Sequence, residues 1–164
     1  MFTTLARHRG LFRRWLLFAG GLMPGGLLPR RDTELVILRV AHNCGSPYEL
    51  AQHERLARLA GLSREEIDRV ADGPDADGWS TREAMLLRAA DELHGGERTI
   101  SDELWTALAA ELDDRRLIEL CLLVGHYEML AMTLNALRVA PDPVTPRPPS
   151  RAARALQALA ERRR

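Results

Sequence analysis

Three side chains in the first third of the chain combine acid and base groups: Glu34, Glu49 and His53. Two carboxyl groups and an imidazole suit general acid–base catalysis or proton relay, because the imidazole exchanges protons near neutral pH and carboxyl groups beside it can donate or accept them. Each also has a structural explanation. Glu34 suits the first turn of a helix, and Glu49 suits a capping box with Ser46. A buried His53 needs a partner, which Glu34 would supply with or without catalysis.

Two predicted helices joined by a short turn position these side chains. The first spans about 31–42, and the second starts at the cap Ser46-Pro47-Tyr48-Glu49. Helices joined by so short a turn lie antiparallel. At about 1.5 Å rise per residue, Glu34 and His53 then lie within roughly one turn of the same level. Glu49 is four residues before His53, so it shares a helix face with it. We therefore expect the three side chains to converge.

Further helices account for most of the chain up to about residue 139. A rough apolar stripe predicts a helix over 5–18, ending at Gly20-Gly21. Cap residues predict where the other helices begin. The predicted N-cap residues are Asp32, Ser63, Ser80, Ser101 and Asp113. Since no segment alternates with the period of a strand, the predicted fold class is all-α, a helical bundle built around the antiparallel hairpin.

The C-terminal part of the chain has a different composition. Five prolines between residues 141 and 149 forbid a continuing helix. The sequence therefore predicts a helical domain over 1–140 and a proline-rich linker with a basic tail over 141–164.

Charge and composition exclude several functions. All 23 basic residues are Arg, so chemistry that needs a P-loop or Schiff-base lysine is excluded. Residues 1–31 hold six Arg and no acid, 32–146 hold 11 Arg against 22 acids, and 147–164 hold six Arg and one Glu. The acidic middle argues against nucleic-acid binding, while the basic ends suit an acidic surface such as a neighbouring subunit.

The cysteines and the apolar stretches predict a reduced, cytoplasmic protein that does not cross a membrane. Cys44 and Cys121 have no neighbouring cysteine at metal-ligand or redox spacing. Arg13-Arg14 and the apolar residues after them superficially resemble a signal, but the run is short and has no convincing cleavage site. Glu119 and other polar residues interrupt the apolar run 117–137, so we expect a buried core helix there.

The two hairpin segments carry a family resemblance. Two stretches resemble the core of the carboxymuconolactone decarboxylase family, which includes the alkylhydroperoxidase D (AhpD) proteins. They are RDTELVILRVA, from Arg31 to Ala41, and SPYELAQH, from Ser46 to His53. LLVGHY at 122–127 and LNAL at 134–137 resemble its last helix. The resemblance covers about residues 5–140 and implies an AhpD-like helical fold and homo-oligomers, often trimers or hexamers.

The resemblance to the peroxidase branch fails at its thiols. In that branch a glutamate is followed twelve residues later by Cys-x-x-Cys and then, four residues after the second cysteine, by a histidine. Glu34 and His53 keep this spacing here, but Ser46 and Glu49 stand at the cysteine positions. Since thiol peroxidase chemistry needs two nearby thiols, activity of that kind is disfavoured.

The sequence therefore favours an enzyme that needs no cofactor and acts on a small organic acid or other metabolite by decarboxylation, isomerisation, dehydration or lactone chemistry. His53 would be the general base or acid, Glu34 would orient it, and Glu49 would carry a second proton or position the substrate. Tyr48, His126 and Tyr127 are the predicted substrate-binding residues.

Several alternatives stay open at this point. One alternative is a non-catalytic helical oligomer or small-molecule-binding module that retains the hairpin as architecture. Redox chemistry through Cys44 alone is a further alternative, and it requires a thiol that is reactive near neutral pH. A metal site formed by Glu34, Glu49 and His53 is possible, although one imidazole with two carboxylates is a weak ligand set, so we expect no metal. Arg39 or Arg55 could hold a substrate carboxylate, but surface ion pairing is the commoner use of either.

Overall fold

Helices make up most of the chain that the computed structural model describes, residues 1–142. The α-helices in that range are α1 (Phe2–Leu5), α2 (Arg9–Leu22), α3 (Arg30–Asn43), α4 (Pro47–Leu59), α5 (Arg64–Arg69), α6 (Thr81–His94), α7 (Asp102–Glu111) and α8 (Asp114–Ala136), with a 3-10 turn at Val70–Asp72. Residues 1–142 contain no strand, which confirms the all-α prediction. From residue 143 onwards, the predicted linker and basic tail lie outside the described residues.

Helix α3 is the centre of the bundle. It packs against α4, α6 and α8, and every residue from Asp32 to Leu38 is buried. Its apolar side chains divide between two clusters: Val36, Ile37 and Val40 face α6 and α8, while Leu35 and Leu38 face α4, α5 and α6. Burial of one such side chain stabilises the fold by about 1.5–3 kcal/mol, so α3 is firmly anchored in the core.

Arginine side chains bind α3 to α6 along their whole length. Arg31 donates hydrogen bonds to Glu83 on α6 and to Glu66 on α5. Arg39 makes a two-pronged contact with Asp91, at 2.6 and 2.9 Å. Planar guanidinium groups suit such two-pronged contacts with carboxylates. These pairs fix the rotation of α3 and thus the direction in which its other side chains point.

The turn between α3 and α4 forms the predicted antiparallel hairpin. Gly45 has φ of +54°, a left-handed conformation that glycine adopts without steric cost. The Ser46 amide then donates to the Ala41 carbonyl at 2.9 Å. From α8, the Asn135 side-chain amide donates to the carbonyls of Cys44 and Gly45, at 3.1 and 3.3 Å. The turn is therefore stabilised both by its own backbone hydrogen bond and by the Asn135 side chain of α8.

Three of the predicted helix caps are confirmed. Ser63 and Ser80 each form a capping box, and Asp113 accepts a hydrogen bond from the Arg116 amide.

Of the other three predicted caps, one position is wrong and two are right but lack the side-chain hydrogen bond. Pro29, not Asp32, occupies the N-cap position of α3, and buried Asp32 pairs instead with Arg82 at 2.7 Å. Ser46 and Ser101 stand at N-cap positions without forming a side-chain cap. Ser101 is bound to Glu92 instead, through both its hydroxyl and its amide. In each case a tertiary contact or burial overrides the local preference.

Helix α8 is the one described helix whose length and apolar composition would suffice to cross a membrane. In the structure more than half of its apolar stretch is buried against other helices. Its Glu119 accepts hydrogen bonds from the amides of Leu27 and Leu28, at 2.6 and 3.0 Å. These bonds attach the loop before α3 to α8, so α8 serves as a core helix in this fold.

Candidate active site

The hairpin brings Glu34 and His53 together. Their side chains meet across α3 and α4 with 2.7 Å between Glu34 Oε2 and His53 Nδ1. Glu34 is fully buried, and Arg30, one turn earlier on α3, places a guanidinium nitrogen 2.7 Å from the other carboxylate oxygen. A carboxylate at this distance accepts the Nδ1 proton, which leaves Nε2 of the imidazole as the nitrogen that takes up or releases a proton.

Glu49 is buried without a hydrogen-bond partner. It is 2% exposed, and neither carboxyl oxygen is hydrogen-bonded to another described residue. The expected capping box with Ser46 is absent, and the Ser46 hydroxyl is itself unpaired. Burial raises the pKa of Glu49 to about 8, against a smaller lowering by the nearby Ser46 hydroxyl. At neutral pH Glu49 therefore carries a proton, as a general acid must.

Glu49 and His53 line one cavity of about 260 Å³. Glu34 does not line it and lies behind the imidazole. Of the predicted substrate-binding residues, Tyr48, His126 and Tyr127 all line the same cavity. The structure thus gathers the candidate residues at one place, while their catalytic and binding roles stay predictions.

The tyrosines and His126 differ in what their polar atoms do. The Tyr48 hydroxyl donates to Asp142 at 2.6 Å, so only its ring is left for a ligand. The Tyr127 ring meets the His53 ring edge to face, with centroids 5.1 Å apart. Burial and the nearby carboxyl groups raise the pKa of the Tyr127 hydroxyl, so the phenol stays protonated. His126 Nδ1 is buried and has no hydrogen-bond partner within residues 1–142, and burial lowers the pKa of that imidazole.

Helix α2 forms an apolar wall of the cavity that sequence reasoning missed. Trp15 stacks on the His126 ring at 5.8 Å, and Phe18 meets the same ring edge to face at 5.4 Å. Met23, just after α2, contacts the Tyr127 hydroxyl through its sulfur. The apolar stripe of α2 was visible in the sequence, but nothing there indicated that Trp15 would face His126, more than a hundred positions away.

A second, larger cavity carries less chemistry. It has a volume of about 440 Å³ and lies between the N-terminal helices and the end of α8. Its lining is almost entirely apolar and includes no carboxyl group among the described residues. Its His8 accepts a hydrogen bond from the Leu11 amide and so caps α2. The smaller cavity is therefore the better candidate for catalysis.

Two of the open alternatives lose support from the geometry. Arg39 is committed to Asp91 and to the carbonyls of Val70 and Ala71, so it is not free to hold a substrate carboxylate. Burial and the neighbouring Glu128 raise the pKa of the Cys44 thiol to about 11. Little thiolate exists there at neutral pH, which argues against redox chemistry through Cys44 alone.

Comparisons with known proteins agree on the fold. A putative antioxidant defence protein AhpD from Agrobacterium tumefaciens, itself described as being of unknown function, superposes with a TM-score of 0.77 and 18% identity, covering 84% of this chain and 95% of that one. An uncharacterized peroxidase-related protein with an AhpD core, from Ralstonia eutropha JMP134, superposes with a TM-score of 0.76 at 18% identity. The match covers 85% of this chain and 75% of that one.

A third solved structure, an uncharacterized peroxidase-related protein from Silicibacter sp. TM1040, gives a TM-score of 0.73 at 16% identity and covers 80% of this chain and 70% of that one. At these identities the likeness establishes a shared AhpD-like helical fold. A search of curated proteins found no match.

The family assignment comes from the sequence profile. The profile of the carboxymuconolactone decarboxylase family matches residues 9–92. This range includes α2, the α3–α4 hairpin and most of α6, so it contains Glu34, Glu49 and His53. The chain belongs to the carboxymuconolactone decarboxylase family.

Proposed function

We propose that the cavity between α2, α4 and α8 is an active site for proton transfer next to a carbonyl group, without a cofactor, on a small metabolite. The reaction would be of the lyase or isomerase type. The observation that carries this proposal is Glu49: a buried carboxyl group with no hydrogen-bond partner among the described residues, which shares a 260 Å³ cavity with a carboxylate-bound imidazole. A buried polar group without a partner costs about 1–3 kcal/mol of stability, so a catalytic use explains why it is there.

In this proposal His53 is the base. Its Nδ1 is held by Glu34 at 2.7 Å, so Nε2 takes a proton from the carbon beside the substrate carbonyl. The imidazolium that forms lies against the Glu34 carboxylate, which stabilises the positive charge. Arg30, on the other Glu34 oxygen, holds that carboxylate in place. Glu34 and Arg30 are thus positioning residues.

Glu49 is the acid in the same proposal. It lies one helical turn before His53 on α4, so the two side chains face the cavity a few ångströms apart along the axis. Because its pKa is about 8, it delivers its proton to the substrate at neutral pH and regains one from His53 or water. The proton lost at one carbon is thereby returned at another atom, as isomerisation and decarboxylation both require.

The lining favours a substrate that is mostly apolar. Aromatic and aliphatic side chains from α2, α4 and α8 dominate it, and no arginine is among the described lining residues. A free carboxylate would therefore find no cationic partner there, whereas an uncharged lactone or ketone carbonyl would find Glu49, Gln52 and the histidines as hydrogen-bonding groups. Within the broader class of small organic acids and metabolites, we favour an unsaturated lactone.

The test uses α-angelica lactone, an unsaturated γ-lactone of matching size. Its conversion to the conjugated isomer requires removal of the proton beside the carbonyl and return of a proton two carbons further along the double bond. In D₂O, NMR would follow isomerisation and exchange of that proton together. We expect purified protein to accelerate both, and His53→Gln to lower the rate by about 10²–10⁴-fold.

His42→Gln is the matched control, because His42 is a half-buried histidine on α3 outside the cavity lining. It should leave the rate unchanged. Equal rates for wild type and His53→Gln would overturn the assignment of the base. Saturable binding of the lactone without exchange would instead favour the alternative of a small-molecule-binding module.

We also propose that the protein works as a homo-oligomer, a trimer or hexamer as the family resemblance implies. Large apolar side chains lie exposed on the outer faces of α2 and α8. They include Leu11, Leu17, Ile118, Leu122, Met129 and Met132. Apolar surface of this extent on two helices is typical of subunit interfaces. A cytoplasmic location belongs to the same proposal and fits two free cysteines.

A further inference from the structure

A second cluster of reactive side chains lies outside the cavity. Cys44 directly follows α3, His94 ends α6 and Glu128 lies in the second half of α8. Each offers a ligand atom, and the three atoms lie within 4.8 Å of one another. Cys44 Sγ is 3.9 Å from His94 Nδ1, which is 2.8 Å from Glu128 Oε1. The proposed acid–base chemistry uses none of these residues.

We propose that Cys44, His94 and Glu128 form a zinc-binding site. Thiolate, imidazole and carboxylate are the three side-chain ligand types that Zn²⁺ uses in proteins, with bonds of about 2.3, 2.0–2.1 and 2.0–2.2 Å. In a tetrahedral site these lengths separate the ligand atoms by roughly 3.4–3.6 Å. The Cys44–His94 distance of 3.9 Å is slightly longer than this separation, and the His94–Glu128 distance of 2.8 Å is slightly shorter. Small side-chain rotations therefore suffice to bind the ion.

The surroundings of the cluster suit a bound cation. Arg98 holds the second Glu128 oxygen at 2.7 Å, which leaves Oε1 directed at His94 and supplies the outer hydrogen bond that metal-binding carboxylates commonly have. The His94 side chain is 37% exposed, so an ion can enter from solvent. The fourth ligand position is then open to water.

Zinc at this position would act on the hairpin turn. Cys44 directly precedes Gly45 and Ser46, where α3 passes into α4 and towards Glu49. A bond from Cys44 to an ion shared with α6 and α8 would join three helices at the point that Asn135 already holds. The site is therefore structural in the first place, and it is independent of the acid–base function proposed above.

Cobalt binding to the reduced full-length chain tests the proposal. Co²⁺ takes the same ligands as Zn²⁺, and a bound thiolate gives a charge-transfer absorption band that carboxylates and imidazoles do not. We expect one Co²⁺ per chain with this band, displacement by Zn²⁺, and a rise in Tm with added Zn²⁺. Cys44→Ser should abolish the band, and His94→Gln and Glu128→Gln should each weaken Zn²⁺ binding by about 100-fold or more.

Cys121→Ser is the matched control, because Cys121 is the other half-buried cysteine and lies outside the cluster. It should keep the band and the affinity. The proposal is overturned if wild type shows no thiolate band, or if the band survives Cys44→Ser and disappears in Cys121→Ser. Loss of Zn²⁺ binding in His53→Gln with normal binding in His94→Gln would place the ion at the hairpin cavity and overturn it too. Circular dichroism of each variant excludes unfolding as the cause.

Discussion

Replacing Glu49 by glutamine should change how stability depends on pH. In the folded protein Glu49 keeps its proton up to a pKa of about 8, whereas its ordinary value is 4.5. Between these two values the folded state binds one more proton than the unfolded state. Stability therefore falls as pH rises through this window, and the stabilising effect of the proton is fully present only below the unfolded pKa.

The size of the effect follows from the two pKa values. One pH unit corresponds to 1.36 kcal/mol for one proton, so the window from 4.5 to about 8 amounts to at most about 5 kcal/mol. Glu49→Gln keeps the size and polarity of the side chain and removes the titration. As the pH rises from acidic to mildly alkaline, the free energy of unfolding of the variant should thus increase by about 2–5 kcal/mol relative to that of wild type.

Urea unfolding followed by circular dichroism at several pH values measures this difference. The free energy of unfolding of wild type minus that of Glu49→Gln should decrease steadily across the window. Glu103→Gln, which removes an exposed carboxyl group, should give a curve parallel to wild type. Parallel curves for wild type and Glu49→Gln would refute the reasoning, because they would mean that Glu49 is ionised in the folded protein at neutral pH.

Three further outcomes are expected. Gly26→Ala should lower the free energy of unfolding by about 1–3 kcal/mol in urea titrations, because a Cβ there would lie 2.6 Å from the Leu22 carbonyl oxygen and collide with Glu119. Gly96→Ala is the control, because Gly96 has open space around it. Leu17→Glu should give a smaller species in light scattering while circular dichroism shows a folded chain, since Leu17 is 81% exposed in the single chain; an unchanged mass would exclude this face of α2 from the interface. Asn135→Ala should speed amide hydrogen exchange at the α3–α4 turn, because two carbonyl contacts are lost; unchanged exchange would show that the turn needs no support from α8.

Local rules were enough to predict the pair at the centre of the site. Glu34 and His53 are nineteen residues apart, and a short turn with a fixed rise per residue leaves little freedom in where they meet. The N-caps at Ser63 and Ser80 formed as predicted because both lie at exposed helix ends, where nothing competes with the local hydrogen bonds.

Predictions failed where distant parts of the chain decide the outcome. The Ser46 box is absent because Ser46 and Glu49 are buried, and Glu49 lines a cavity completed by α2 and α8. Asp32 pairs with Arg82, fifty residues away, so its side chain does not cap α3. The cluster of Cys44, His94 and Glu128 has no sequence signal at all, since its members are brought together only by the packing of α3, α6 and α8.

The two sides of the cavity are anchored very differently, and this bears on how the protein can change. Helix α3, which carries Glu34, buries nine residues, whereas α2, which supplies Trp15 and Leu16 to the lining, buries only Leu22. Substitutions on α2 can therefore reshape the space for a ligand at little cost in stability, while substitutions on α3 cannot. The shape of the cavity can thus change through α2 alone, with the proposed proton-transfer residues left untouched.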